Sequence, residues 1–151
     1  MRNRLLYGGA VAVFGLLIAL VPVCIFPTCA KVIETAAGGT VPMKCFWSGR
    51  AEIGIGLLIL CGGVLLAVFK STAIRGGISI MTALTGILGL MVPTVLIGGC
   101  EMHDMACRMT TFPAVSILSA LTAVICAANA IFYLRKRNGK STGEGKWTAN
   151  R

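Results

Sequence analysis

Residues 5–26 read LLYGGAVAVFGLLIALVPVCIF, an uncharged apolar run. A helix that spans a bilayer needs roughly 20 such residues at a rise of about 1.5 Å each, so this stretch is long enough to cross. Three further blocks repeat the pattern: 51–69 (AEIGIGLLILCGGVLLAVF), 76–98 (GGISIMTALTGILGLMVPTVLIG) and 114–134 (AVSILSALTAVICAANAIFYL). Hydrocarbon offers the backbone no hydrogen-bond partners, so each block is expected to be helical. Glu52 is the only charge inside these limits, which makes the second block the shortest and sets its outer end at the interface. Arg2 and Arg4 precede the first block as in a signal peptide. Its apolar core, however, exceeds the roughly 7–15 residues of a cleaved signal, and a retained first helix is expected. Leu20, Val21, Pro22 and Val23 are also unsuited to lipoprotein processing at Cys24.

Composition agrees with a bilayer as solvent. Of 151 residues, 56% are hydrophobic and 13% charged, against about 45–50% apolar and about 25% charged in soluble domains. The net charge of +9 lies between and after the apolar blocks, with no basic face interleaved with aromatics, so nucleic acid is not the expected partner. Arg2, Arg4, Lys70, Arg75, Arg135, Lys136, Arg137, Lys140, Lys146 and Arg151 fall on one side of a four-span model. Lys31, Lys44, Arg50 and Arg108 fall on the other. This asymmetry puts the first group, and both termini, in the cytoplasm of a multi-pass cell-membrane protein. The chain divides into a transmembrane domain, 1–134, and a basic tail, 135–151, read as disordered and resting on anionic headgroups.

A weak internal repeat organises the blocks. Val21-Pro22 near the end of the first helix and Val92-Pro93 near the end of the third are followed, at the same distance, by Cys29 and Cys100. The same alignment pairs Gly15 with Gly86 and Leu17 with Leu88, and Met43-x-Cys45 and Met105-x-Cys107 precede the even-numbered helices. The expected fold is therefore all-α: two tandem helical hairpins related by a pseudo-twofold axis along the membrane normal. Pro22 and Pro93 should kink the odd helices. Ser116, Ser119, Ala123, Ala127 and Ala130 form a small-residue face on the fourth helix, and the second carries Gly54, Gly56, Gly62 and Gly63. Such residues let helices approach closely in lipid, here within one bundle.

Sulfur dominates the outer loops. Cys61 and Cys126 lie inside helices, where a buried thiol acts as a small apolar group. Cys29, Cys45, Cys100 and Cys107 face the compartment where disulfides persist. Pairing within hairpins (Cys29 with Cys45, Cys100 with Cys107) and crossed pairing both remain open. A soft-metal reading takes Met43, Cys45, Met102, His103, Met105 and Cys107 as a set suited to Cu(I) or haem, although no zinc spacing occurs. A third reading is thiol–disulfide exchange, with Lys44 and Arg108 favouring thiolates beside Cys45 and Cys107, but no Cys-x-x-Cys is present. Glu52 is read as a helix-start acid, favoured by the dipole and pairing with an outer arginine. A proton or ion pathway would need ionisable groups deeper in the helices. Asn129 is the strongly polar interior residue there. Neither a nucleotide loop nor a hydrolase triad is present, so no enzyme is expected and no cofactor is assigned.

The stretch Met43-Lys44-Cys45-Phe46-Trp47-Ser48-Gly49-Arg50-Ala51-Glu52-Ile53-Gly54 resembles the small-membrane-protein family of unknown function numbered 4418. Met105-Ala106-Cys107-Arg108 is similar to that family's second signature. Trp47, Glu52 and Arg108 are the motif residues it singles out beside the cysteines. The resemblance covers the chain to about Leu134 and implies four helices, no assigned activity and an accessory role beside export-type ATP-driven transporters. Family members frequently carry histidine where this chain has Phe46, which argues against a shared haem or metal site. The expectation is thus a disulfide-stapled accessory subunit whose partners are the bilayer and another membrane protein.

Overall fold

The computed structural model describes residues 2–25, 32–34, 40–42, 44–97 and 107–148. Helix α1 runs Arg2–Leu20 and continues as a wider π-helical turn over Val21–Ile25. Helix α2 spans Lys44–Val68 and α3 spans Thr72–Met91, the latter extended by a π turn at Val92–Leu96. A third π turn, Cys107–Thr111, leads into α4, Phe112–Thr148. All four helices contain stretches long and apolar enough to cross a membrane: Leu5–Ile25, Cys45–Val68, Thr72–Leu96 and Met109–Lys136. Large apolar side chains such as Leu6, Leu58, Met81, Val95 and Val124 point outward around the bundle. On a soluble protein that exterior would aggregate; in lipid it is the solvent contact. The chain is a multi-pass membrane protein.

Helix bounds differ from the sequence reading where charges interrupted the apolar blocks. Helix α2 starts at Lys44 rather than at residue 51, and at 25 residues it exceeds α1 and α3 instead of being the shortest. A spanning helix tolerates charged residues near its ends because long side chains such as that of Arg50 reach the headgroups. Likewise α3 begins at Thr72 and takes Arg75 into its first turn. From residue 135, α4 continues as helix to Thr148, since extending a formed helix through Arg and Lys costs little. The all-α expectation also omitted one feature. In the first long connection, β1 (Val32–Glu34) and β2 (Thr40–Pro42) form an antiparallel pair, with Val32 opposite Pro42 and Glu34 opposite Thr40. Val32, Ile33, Thr40 and Val41 are β-branched and suit an extended strand.

Both Val-Pro pairs open π turns, and Pro22 and Pro93 are buried in them. Proline has no N–H for the carbonyl one turn earlier, and a widened turn accommodates that loss. After Pro93 the helix closes again through Ile97 N–H donating to the Val92 carbonyl at 3.0 Å. The bundle has two ends. The loop end is where α1 and α3 finish and α2 and α4 start, and the terminal end holds Arg2, the short α2–α3 connection and Lys136.

Glycine determines which helices pair. Helix α1 packs most extensively on α2, and α3 on α4. A Cβ added at Gly15 would overlap the Leu60 backbone nitrogen and lie 2.8 Å from the Gly56 carbonyl oxygen. One at Gly63 would overlap the Ala12 nitrogen, and one at Gly8 would lie 2.7 Å from the Ala67 nitrogen. The backbones of α1 and α2 are therefore in direct contact along Gly8, Gly15, Gly56 and Gly63, the close approach that small residues permit in lipid. The α3–α4 seam is looser: at Gly86 the nearest atoms to an added Cβ are 3.1 Å away, on Ala123 and Ser119. Of the α4 small-residue face, Ser119 and Ala130 are buried and Ala127 is exposed.

Candidate functional site

The buried polar side chains divide into two groups along the bundle. On α2, Cys45, Ser48, Glu52, Ile55 and Ile59 recur every three or four residues and are all buried. That spacing aligns them on one helical face turned to the interior. The π turn before α4 buries Thr111, and α4 itself buries Val115, Ser119 and Thr122. Helix α3 makes room with Gly89, where an added Cβ would lie 2.9 Å from Ser119 Oγ and 3.1 Å from Ile55 Cγ2. Glycine there brings the Ser119 hydroxyl close to the turn of α2 that follows Glu52.

Satisfaction of these groups is uneven. Thr82 Oγ1 donates to the Ile78 carbonyl at 2.8 Å and Thr122 Oγ1 to the Leu118 carbonyl at 2.8 Å, the usual bond of a helical hydroxyl to the preceding turn. Neither carboxylate oxygen of Glu52 has a hydrogen-bond partner, and neither do the Ser48 and Ser119 hydroxyls. Glu52 is only 2% exposed. This departs from the expected helix-start acid paired with an arginine. With α2 beginning at Lys44, Glu52 lies two turns in, beyond the first turn over which the dipole acts. Arg50 is exposed and sits 5.3 Å above the Phe46 ring instead. Phe46 in turn meets Trp47 edge to face at 6.0 Å, and Trp47 is largely exposed. These aromatics form an interfacial girdle at the loop end.

The terminal end carries the second group, which is largely paired. Asn129 Nδ2 donates to Ser79 Oγ at 2.9 Å, joining α4 to α3. Tyr7 Oη donates to the Ile125 carbonyl at 3.2 Å, joining α1 to α4. The Arg75 guanidinium lies 4.9 Å from the Tyr133 ring centre, while its buried Nε has no hydrogen-bond partner. Beside them an open groove between α3 and α4 is lined by Thr72, Ala73, Gly77, Ile80, Tyr133 and Leu134. Nothing lies within 4 Å of a Cβ added at Gly77, or at Gly9 and Gly54 elsewhere on the exterior.

Of the residues singled out by sequence, Cys29, Met43, Cys100, Met102, His103 and Met105 lie outside the described residues, and for Cys107 and Arg108 only the backbone is described. Cys45 is fully buried in the first turn of α2. The described free thiols are Cys24, Cys61 and Cys126, of which Cys126 alone is buried. Cys61 thus faces outward rather than packing as an interior thiol. Among the described residues no three His, Cys, Asp or Glu side chains cluster as metal ligands. Sequence reasoning passed over Ser48 and Arg75 and read Ser119 only as packing. The signal for the first was Cys45-Ser48-Glu52, a helical period continuing into Ile55 and Ile59.

No curated protein and no solved structure matches the chain. A family model does match, over residues 11–133, and takes in all four helices together with both Met-x-Cys elements. The chain belongs to the family described as domain of unknown function (DUF4418).

Proposed function

We propose that the protein is a small, non-enzymatic accessory subunit of a cell-membrane complex, with both termini cytoplasmic and its outer loops held by disulfides. The observation that carries the reading is the groove at the terminal end of α3 and α4. Its floor includes Gly77, open to approach, and its walls are Ile80, Tyr133 and Leu134. In lipid, an exposed small residue between larger apolar ones is the surface on which another transmembrane helix packs. An export-type ATP-driven transporter is the partner class in view. The orientation is supported by the basic residues, since Lys70, Arg135 and Lys136 all fall at the terminal end. Disulfide pairing is supported by Cys45, which is fully buried at the loop end and absent from the free thiols.

The test is a photo-crosslinking amino acid placed at Gly77 and, as a control on another lipid-facing glycine, at Gly9. The account expects Gly77 to capture one defined membrane protein, Gly9 not to, and Gly77→Leu to abolish co-purification in mild detergent. Equal capture from both positions, or an intact association in the Gly77→Leu variant, would refute it. After denaturation in detergent, Cys45 and Cys107 should label with an alkylating reagent only if first reduced; labelling without reduction would transfer support to thiol exchange or Cu(I) binding.

A further inference from the structure

Glu52 has no structural explanation in the packing described above. It lies seven residues into the Cys45–Val68 span, which at the helical rise is about 10 Å from the end of that span. Both its oxygens are buried and unpartnered, and so are the hydroxyls of Ser48, one turn earlier on the same face, and of Ser119 on α4, which with Ile55 of α2 abuts Gly89. The loop-end part of the bundle therefore holds four buried oxygen atoms without a hydrogen-bond partner. Towards the terminal end, Asn129, Ser79, Tyr7 and Thr82 find partners, and among the described buried groups there only Arg75 Nε does not. An uncompensated carboxylate is among the costliest groups to keep inside a membrane, and those that persist there mark sites of function.

The donors define the ligand. Carboxylate and hydroxyl oxygens are hard ligands that favour hard cations over the soft metals suited to sulfur. One carboxylate neutralises one positive charge, and no other ionised side chain is described nearby. In the loop-end half, the other charged or titratable groups with described side chains are Cys24 and Arg50. Cys24 and Arg50 are exposed, and the described parts of α3 and α4 contribute none in that half. Towards the other end, the α2 face continues as Ile55, Ile59 and Leu66, fully or almost fully buried, with Ile55 and Ile59 in one apolar cluster with Ile18 of α1.

We propose that Glu52, with Ser48 and Ser119, forms an occluded site for a single monovalent cation, a proton or an alkali-metal ion, in the third of the bundle nearest the loop end. The inference does not depend on the partner reading, because the site lies within this chain and away from the groove.

The experiment is thermal unfolding of the full-length protein in detergent micelles, wild type against Glu52→Gln, across pH and across sodium chloride at ionic strength held constant with choline chloride. Glutamine preserves shape and removes the charge to be neutralised. The Cys24 and Arg50 contributions are common to both proteins and cancel in the comparison. A cation bound only in the folded state stabilises it by mass action, so the wild-type melting temperature should fall by roughly 3–6 °C for each tenfold loss of a saturating ion. In sodium-free buffer the wild type should lose stability as pH rises, while Glu52→Gln remains flat. Recovery on adding sodium identifies an alkali-metal ion; a pH response untouched by sodium identifies a proton. Ser48→Ala and Ser119→Ala should each shrink the wild-type response. Identical pH and sodium responses in wild type and Glu52→Gln would overturn the proposal.

Discussion

Replacing Gly15 by alanine adds one methyl group at one of the two tightest points of the α1–α2 seam, the other being Gly63. That methyl would overlap the Leu60 nitrogen and lie 2.8 Å from the Gly56 carbonyl oxygen and 2.9 Å from the Ile59 carbonyl carbon. All three are backbone atoms, so no rotamer change relieves the clash. Carbon contacts are optimal at about 3.5–4.0 Å, which requires the two helices to part locally by about 0.5–1 Å. A gap of that size forfeits about a quarter to a half of each affected contact. Spread over the several tens of atom pairs in one turn of the seam, the loss is about 1–3 kcal/mol, in the range of measured overpacking. Alanine recovers up to about 1 kcal/mol of helix propensity over glycine. The net expectation is destabilisation by about 1–2 kcal/mol, measured by reversible unfolding in mixed micelles with circular dichroism. Gly9→Ala, on the same helix with nothing within 4 Å, is the control and should be neutral or mildly stabilising. If Gly15→Ala fell within about 0.5 kcal/mol of Gly9→Ala, the range of ordinary surface changes, direct backbone contact could not be what holds α1 to α2.

The other predictions concern the terminal end. Asn129→Ala removes the bond to Ser79 and should cost about 0.5–2 kcal/mol, the range for interhelical bonds in bilayers; a double variant with Ser79→Ala should cost little more than either alone, as a micelle-unfolding cycle would show. Tyr133→Phe should leave the Arg75 contact intact, whereas Tyr133→Leu should destabilise by about 0.5–2 kcal/mol through loss of the cation–π pair, read in the same assay. Tyr7→Phe removes the hydroxyl that bonds the Ile125 carbonyl and should cost about 1 kcal/mol.

Four spans were legible because long uncharged runs have no other stable use, and the two Val-Pro pairs correctly marked where α1 and α3 change geometry. The start of α2 was not legible. Lys44, Arg50 and Glu52 read as an interface, yet a helix entering a membrane carries charged residues through its first turns, and the period of Cys45, Ser48 and Glu52 continued that of Ile55 and Ile59. Glycine counts on α2 signalled close packing without assigning partners: Gly56 and Gly63 meet α1, Gly62 meets Thr82 of α3, and Gly54 meets nothing. Side-chain direction around a helix distinguishes these, and composition does not contain it. For the same reason Arg75 read as a loop cation, although it packs on Tyr133, 58 residues further along the chain.

The bundle, the groove and the Glu52 site all require four crossings, and compartment-specific reporters test that directly. A fluorescent protein that matures only in the cytoplasm and a phosphatase active only outside it would be fused in turn after Gly38, Lys70, Glu101 and Arg151. The account predicts phosphatase activity after Gly38 and Glu101, and fluorescence after Lys70 and Arg151. If Gly38 and Lys70 reported the same compartment, α2 would not cross, and neither the buried Glu52 site nor the orientation of the groove would stand.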